Sequence, residues 1–105
     1  MTSQEVRSLV ENEIAGQWSR TNAHECDLHR CLVEPAKRPF EDTTPLKRGM
    51  IALWVVLEED PVDCKGYKIV FDEDGGDFGL ACPWIAGHDV FLGRYGSFWT
   101  TFDAM

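Results

Sequence analysis

The sequence predicts an α+β fold: an antiparallel, meander-like sheet of four to five strands, flanked by an N-terminal helix and a short C-terminal helix. Three observations predict it. The first twenty residues carry an apolar stripe at helical spacing. The middle of the chain alternates apolar runs with short turn clusters. The last residues return to helical spacing behind a serine that can cap. Consecutive strands with short connections pair antiparallel, and amphipathic helices bury their stripes on a sheet face. At 105 residues the chain has room for one domain, residues 1–105, and 44% hydrophobic content is too high for intrinsic disorder.

Thr2 and Glu5 have capping-box spacing, and Val6, Leu9, Val10, Ile14 and Trp18 then recur every three or four residues, which predicts a helix over about 3–20. Residues 24–34 have two readings. Cys26, Leu28, Cys31 and Val33 alternate as a strand if one bulge shifts the phase, while Leu28, Cys31 and Leu32 suit a short helix. Pro35, Pro39 and Pro45 predict a long basic loop from Pro35 to Arg48, anchored by Phe40.

Gly49 to Leu57 is the strongest strand, with Ile51, Leu53, Val55 and Leu57 on one face and Met50, Ala52, Trp54 and Val56 on the other. Residues 67–72 alternate as a half-buried strand and end at the Asp74-Gly75-Gly76-Asp77 turn. Phe78 to Cys82 is a third run, and His88 to Leu92 a fourth after a Trp84–Gly87 loop. Ser97 caps a last helix carrying Phe98, Trp99, Phe102 and Met105.

Charge narrows the function. The net charge is -8, and residues 58–77 alone hold eight acids and two bases. Duplex nucleic acid and anionic membranes demand a basic footprint, and Lys37, Arg38, Lys47 and Arg48 make a small one on an acidic body. No nucleic-acid or membrane partner is therefore expected. The longest uncharged apolar run, Gly49 to Leu57, falls short of the ~20 residues a bilayer needs. The N-terminus lacks the basic and apolar regions of a secretory signal, and no CxxC occurs, which predicts a cytoplasmic protein with free thiols.

Chemistry-bearing motifs are few. In His24-Glu25-Cys26-Asp27-Leu28-His29-Arg30-Cys31, imidazole and thiolate are the donors zinc prefers, but on a strand the pairs His24/Cys26 and His29/Cys31 point opposite ways. The plainer expectation is two buried cysteines with partly exposed histidines. The Asp72–Asp77 acids fall at the wrong positions for an EF-hand loop and suit a solvated turn. No GxSxG, P-loop or GxGxxG is present. The expectation is a non-enzymatic, cofactor-free, acidic protein-binding or regulatory domain, engaging a basic partner or a second copy as a homodimer. By analogy of size and charge alone, antitoxin- or immunity-like proteins sequester partners this way. The alternative is a small-molecule or zinc-binding domain built on the His24–Cys31 cluster. The predicted contact residues are Trp54, Trp84 and Tyr95 with the acidic loops, Glu58, Glu59, Asp60, Asp72 and Asp74. Cover for Trp54 and Val56 comes either from Phe40's loop or the C-terminal helix, or from a partner on an exposed patch.

Overall fold

A computed structural model describes residues 1–43, 49–63, 65–83 and 89–105. Helix α1 spans Ser3–Ile14 and opens on the expected capping box: Thr2 Oγ1 accepts from Glu5 N and Glu5 Oε1 from Thr2 N. Val6, Val10 and Ile14 are its buried face. The helix stops well before residue 20. Ala15 turns into the left-handed region at φ 52°, its N–H closing on Glu11 O at 3.1 Å, and Gly16 follows at φ 80°. Two successive left-handed residues end the helix. Trp18 still packs against the same apolar cluster from beyond that end.

The short-helix reading of residues 24–34 holds. Asp27 accepts from His29 N at 3.0 Å and caps α2, Leu28–Cys31. The predicted Pro35–Arg48 loop does not hold: β1 runs Leu32–Asp42 straight through Pro35 and Pro39. Residues 44–48, with Pro45, Lys47 and Arg48, lie outside the described residues. The strand tolerates proline because β2 flanks one side, while β5 reaches β1 only at Glu41 and Asp42. Along Leu32–Phe40 the other side is an edge, where a missing N–H breaks no ladder bond.

Strands β2 (Gly49–Glu58), β3 (Lys68–Asp72), β4 (Asp77–Pro83) and β5 (Asp89–Gly96) follow as antiparallel neighbours in chain order. Ser97 then accepts from Thr100 N and caps α3, Phe98–Ala104. The meander order holds from β1 to β5, but the sheet also closes, which the spacing does not predict. β5 returns to β1 in parallel, pairing Val90 with Glu41 and Phe91 with Asp42, and closes a barrel. Closure removes most of the edge that an open sheet would leave.

Closure also explains the doubly apolar β2. Leu53 and Val55 face the barrel interior with Phe40, Val70, Ala81 and Phe91. Trp54 and Val56 face outward into a second cluster, where residues of α1, α2 and α3 meet Ile69, Phe71, Phe78 and Leu80. A register shift between Val55 and Leu57 turns Leu57 to that outer cluster, away from the face its spacing predicts. The helices therefore supply the cover, and Phe40 belongs to the opposite core. Burying each of these large side chains is worth about 1.5–3 kcal/mol. Among the described residues no helix is long and apolar enough to cross a membrane.

Candidate functional site

The predicted contact residues fall into three groups. The first is internal. Trp54 is only 8% exposed, its Nε1 donates to Glu73 Oε1 at 3.3 Å, and the Lys37 ammonium lies 5.8 Å over its ring. Glu58 is buried, with Oε1 in ion-pair contact with Lys68 Nζ at 3.4 Å and Arg38 Nη2 at 3.6 Å, though without hydrogen-bond geometry to either. Lys68 is itself 1% exposed and also faces Asp89 at 3.8 Å. Asp72 is buried, and Arg94 Nη2 donates to its Oδ2 at 2.6 Å. Burial pushes the Asp72 carboxyl up, but hydrogen bonds from Arg94 and from the backbone at Asp74 and Gly75 outweigh it and hold the group below its usual range.

The second group holds loops together. Glu59 carries His24 Nδ1 at 2.9 Å on Oε2 and accepts from Tyr67 N at 3.4 Å. Asp60 Oδ1 accepts from Val62 N and Asp63 N, fixing its own turn. The β2–β3 and β3–β4 connections lie at opposite ends of the sheet, as the antiparallel pairing requires. The two acidic loops are thus separate.

The third group faces water. Asp74 is exposed, and Tyr95 is 42% exposed. Trp84 lies outside the described residues, as do Cys64, His88 and the rest of the expected Trp84–Gly87 loop. Tyr95 owes its position to β5. Phe78 pairs with Gly96 and Gly79 with Arg94, so Tyr95 is an extra residue. Leu80 pairs with Gly93 and Ala81 with Phe91, so Leu92 is another, and it is 41% exposed. Gly93 (φ 154°) and Gly96 (φ 94°) follow them. A bulge residue drops out of the ladder and re-aims its side chain. Across the barrel seam, register places exposed Met50 in one row with half-buried Glu41 and buried Val90, two residues from Leu92. Sequence reading missed Leu92 and Met50; the glycines inside a strand pattern are the signal that marks the bulges.

Most bases among the described residues are engaged with acids. Arg7, Arg20, Lys37, Arg38, Lys68 and Arg94 each lie in an ion pair with an acid. Glu25, Glu34, Asp63 and Asp74 are exposed.

The His24–Cys31 cluster does not converge as a ligand set. His24 is held by Glu59, and His29 stacks on Trp18 at 5.3 Å between centroids. Cys26 and Cys31 are buried, as the plainer expectation had it. Among the described residues no three His, Cys, Asp or Glu side chains are placed to hold a metal ion. Beside α2, a cavity of about 250 Å³ is lined by Val10, Trp18, Leu28, His29, Leu32 and Val56, among others.

No family model, curated protein or solved structure matches this chain. The functional reading therefore rests on the residues alone.

Proposed function

We propose that the chain is a non-enzymatic, cytoplasmic protein-binding domain that meets a basic partner with side chains displayed on β5. The observation that carries the reading is the pair of bulges that lift Leu92 and Tyr95 out of the ladder to 41% and 42% exposure. Aromatic residues anchored on a rigid scaffold are what interfaces favour. Two bulges within five residues also break the even spacing a docking strand needs, so contact is made through side chains rather than strand addition. With six bases engaged in ion pairs and Glu25, Glu34, Asp63 and Asp74 exposed, the net charge of -8 favours a partner of opposite charge and speeds its approach. Cys26 supports binding over thiol catalysis. Burial, with Cys31 and Glu59 nearby, pushes its thiol up to about 11, far from a poised nucleophile. Free buried thiols also suit a reducing compartment.

Peptides selected by display on the immobilised full chain test the reading. The expected peptides are net positive and shift the amide resonances of Leu92 to Gly96. Tyr95→Ala is expected to bind them about tenfold more weakly, a loss of about 1.4 kcal/mol. Trp84→Ala is expected to weaken the same complex while the protein stays folded. Affinity that is unchanged between low and high salt removes the charge-steering component. Resonance shifts confined to Trp18, Leu28 and His29 overturn the β5 surface in favour of a small apolar ligand in the cavity beside α2.

A further inference from the structure

The cavity beside α2 lies apart from the β5 surface, and strand pairing explains why it exists. Leu57 pairs with Leu32 and Val55 with Ala36, so Val33, Glu34 and Pro35 all stand opposite Val56 alone. On the other flank Val55 pairs with Val70 and Leu57 with Ile69, which leaves Val56 without a register partner in either ladder. A bulge interrupts the ladder and bends its strand. Ser3 Oγ donates to Pro35 O at 2.6 Å and ties the bulged stretch to the first turn of α1. The space left between α1, α2 and the bulge is the cavity of about 250 Å³.

Its inner walls are apolar. Val10, Leu28 and Val56 line it at 3%, 0% and 1% exposure, and Leu32 and Val33 beside them are half-buried. Apolar side chains around a concave surface, with a few polar groups at its edge, are what small-molecule sites present. One side is flat: the Trp18 and His29 rings lie stacked, 5.3 Å between centroids and 21° from parallel. Such a wall favours an aromatic guest. A cavity of about 150 Å³ is known to take up benzene, so this one has room for a substituted ring.

The rim carries two opposite charges. Arg7 and Glu11, one turn apart on α1, both line the cavity. Their side chains are 58% and 50% exposed, with Arg7 Nε 3.7 Å from Glu11 Oε1. That is beyond hydrogen-bond length, and among the described residues neither side chain makes a hydrogen bond. The guanidinium fork and the carboxylate are both open to a ligand. A plain anion meets Glu11 and a net charge of -8, and a plain cation meets Arg7. A zwitterion finds an opposite charge on each.

We propose that this cavity binds a free aromatic amino acid, its ring against Trp18 and His29, its α-carboxylate on Arg7 and its α-ammonium on Glu11. At the ordinary efficiency of small ligands, phenylalanine binds with a Kd of about 1 mM.

The test titrates the full chain with L-phenylalanine and follows amide and indole resonances. Saturable shifts are expected at Val10, Trp18, Leu28 and Val56 and not at Leu92 to Gly96, so this site and the β5 surface are judged apart. Arg7 and Glu11 are exposed, so Arg7→Ala and Glu11→Gln are expected to leave the fold intact. Each is expected to weaken binding about tenfold, the loss of one charged contact. Phenylpropanoate, which lacks the ammonium, is expected not to be weakened by Glu11→Gln. Phenylethylamine, which lacks the carboxylate, is expected not to be weakened by Arg7→Ala. L-Alanine, which has both charges without the ring, is expected not to bind. No saturable shift at ten times the expected Kd, shifts confined to residues outside the cavity, or full phenylalanine affinity in either variant would each overturn the proposal.

Discussion

Glu73 shows what an acid-rich stretch does once it is folded. Its carboxylate accepts from the Lys37 ammonium, from the Met1 amino group at 2.8 Å and from Trp54 Nε1 at 3.3 Å. Lys37 contributes most, then the Met1 amine, and together with Trp54 they bring the carboxyl down from 4.5 to about 2. A group depressed in the folded state stabilises it above its unfolded pKa and loses that contribution as pH falls through its folded value. Stability is therefore expected to decline between about pH 4.5 and pH 2, and Glu73→Gln to lack that part of the decline. Urea unfolding across this range checks it: the wild-type and variant curves converge toward low pH, and parallel curves refute the assignment. The residue scale is also where the sequence was least legible. Eight acids in residues 58–77 read as two solvated patches. In the fold Glu58 and Asp72 turn to Lys68 and Arg94, while Asp74 alone of that loop's predicted contacts stays in water. Composition counts a charge without its direction, and direction follows from which face of β3 closes into the barrel.

At the scale of elements, periodicity was enough for most of the chain. The stripe of α1, the double apolar face of β2 and the Ser97 cap of α3 each lie where their spacing puts them, whereas β3, half-buried by its alternation, is buried at all five positions because Lys68 and Asp72 are covered by their ion pairs. β1 escaped because proline was taken as a break, whereas an edge flank makes Pro35 and Pro39 neutral to the ladder. The end of α1 escaped because Trp18 keeps helical spacing after the helix has stopped. The approach of β4 to β5 depends on a single absent side chain. A Cβ on Gly79 would lie 2.3 Å from Gly93 O and 2.7 Å from Phe91 Cε1. The first obstacle is backbone and cannot rotate away, so the strands would have to part. Gly79→Ala is expected to cost about 1–3 kcal/mol, the range for overfilling a packed interior. Urea denaturation measures it. A loss below about 0.5 kcal/mol, the usual range of surface substitutions, would mean that β4 and β5 do not approach this closely.

The whole molecule is a barrel whose strands are unequally joined. Ladders of β2 with β1 and of β4 with β5 run nearly the length of the strands, whereas β5 meets β1 at Glu41–Val90 and Asp42–Phe91. Thr43 Oγ1 adds one bond to Phe91 O at 2.8 Å, and Phe40 and Phe91 share the interior cluster beside the seam. Nothing in the alternation of a sequence reports closure, since strands of a barrel and of an open sheet have the same period. The seam is formed by the two strands farthest apart in the sheet order, and its short parallel ladder has few bonds to lose when it opens. The outer helices, by contrast, clamp β2, β3 and β4 through the larger apolar cluster. Opening of the seam is therefore expected to cost less than unfolding of the barrel. Native-state hydrogen exchange checks this residue by residue. Ladder amides at the seam are expected to exchange through local opening that is nearly insensitive to low denaturant, while Ile69, Val70 and Leu80 exchange only with global unfolding. Equal protection at both places would mean that closure is as cooperative as the rest of the sheet. Leu92 and Tyr95 begin where the seam ends, so an opening there would move the proposed contact surface while the helix-clamped strands stay in place.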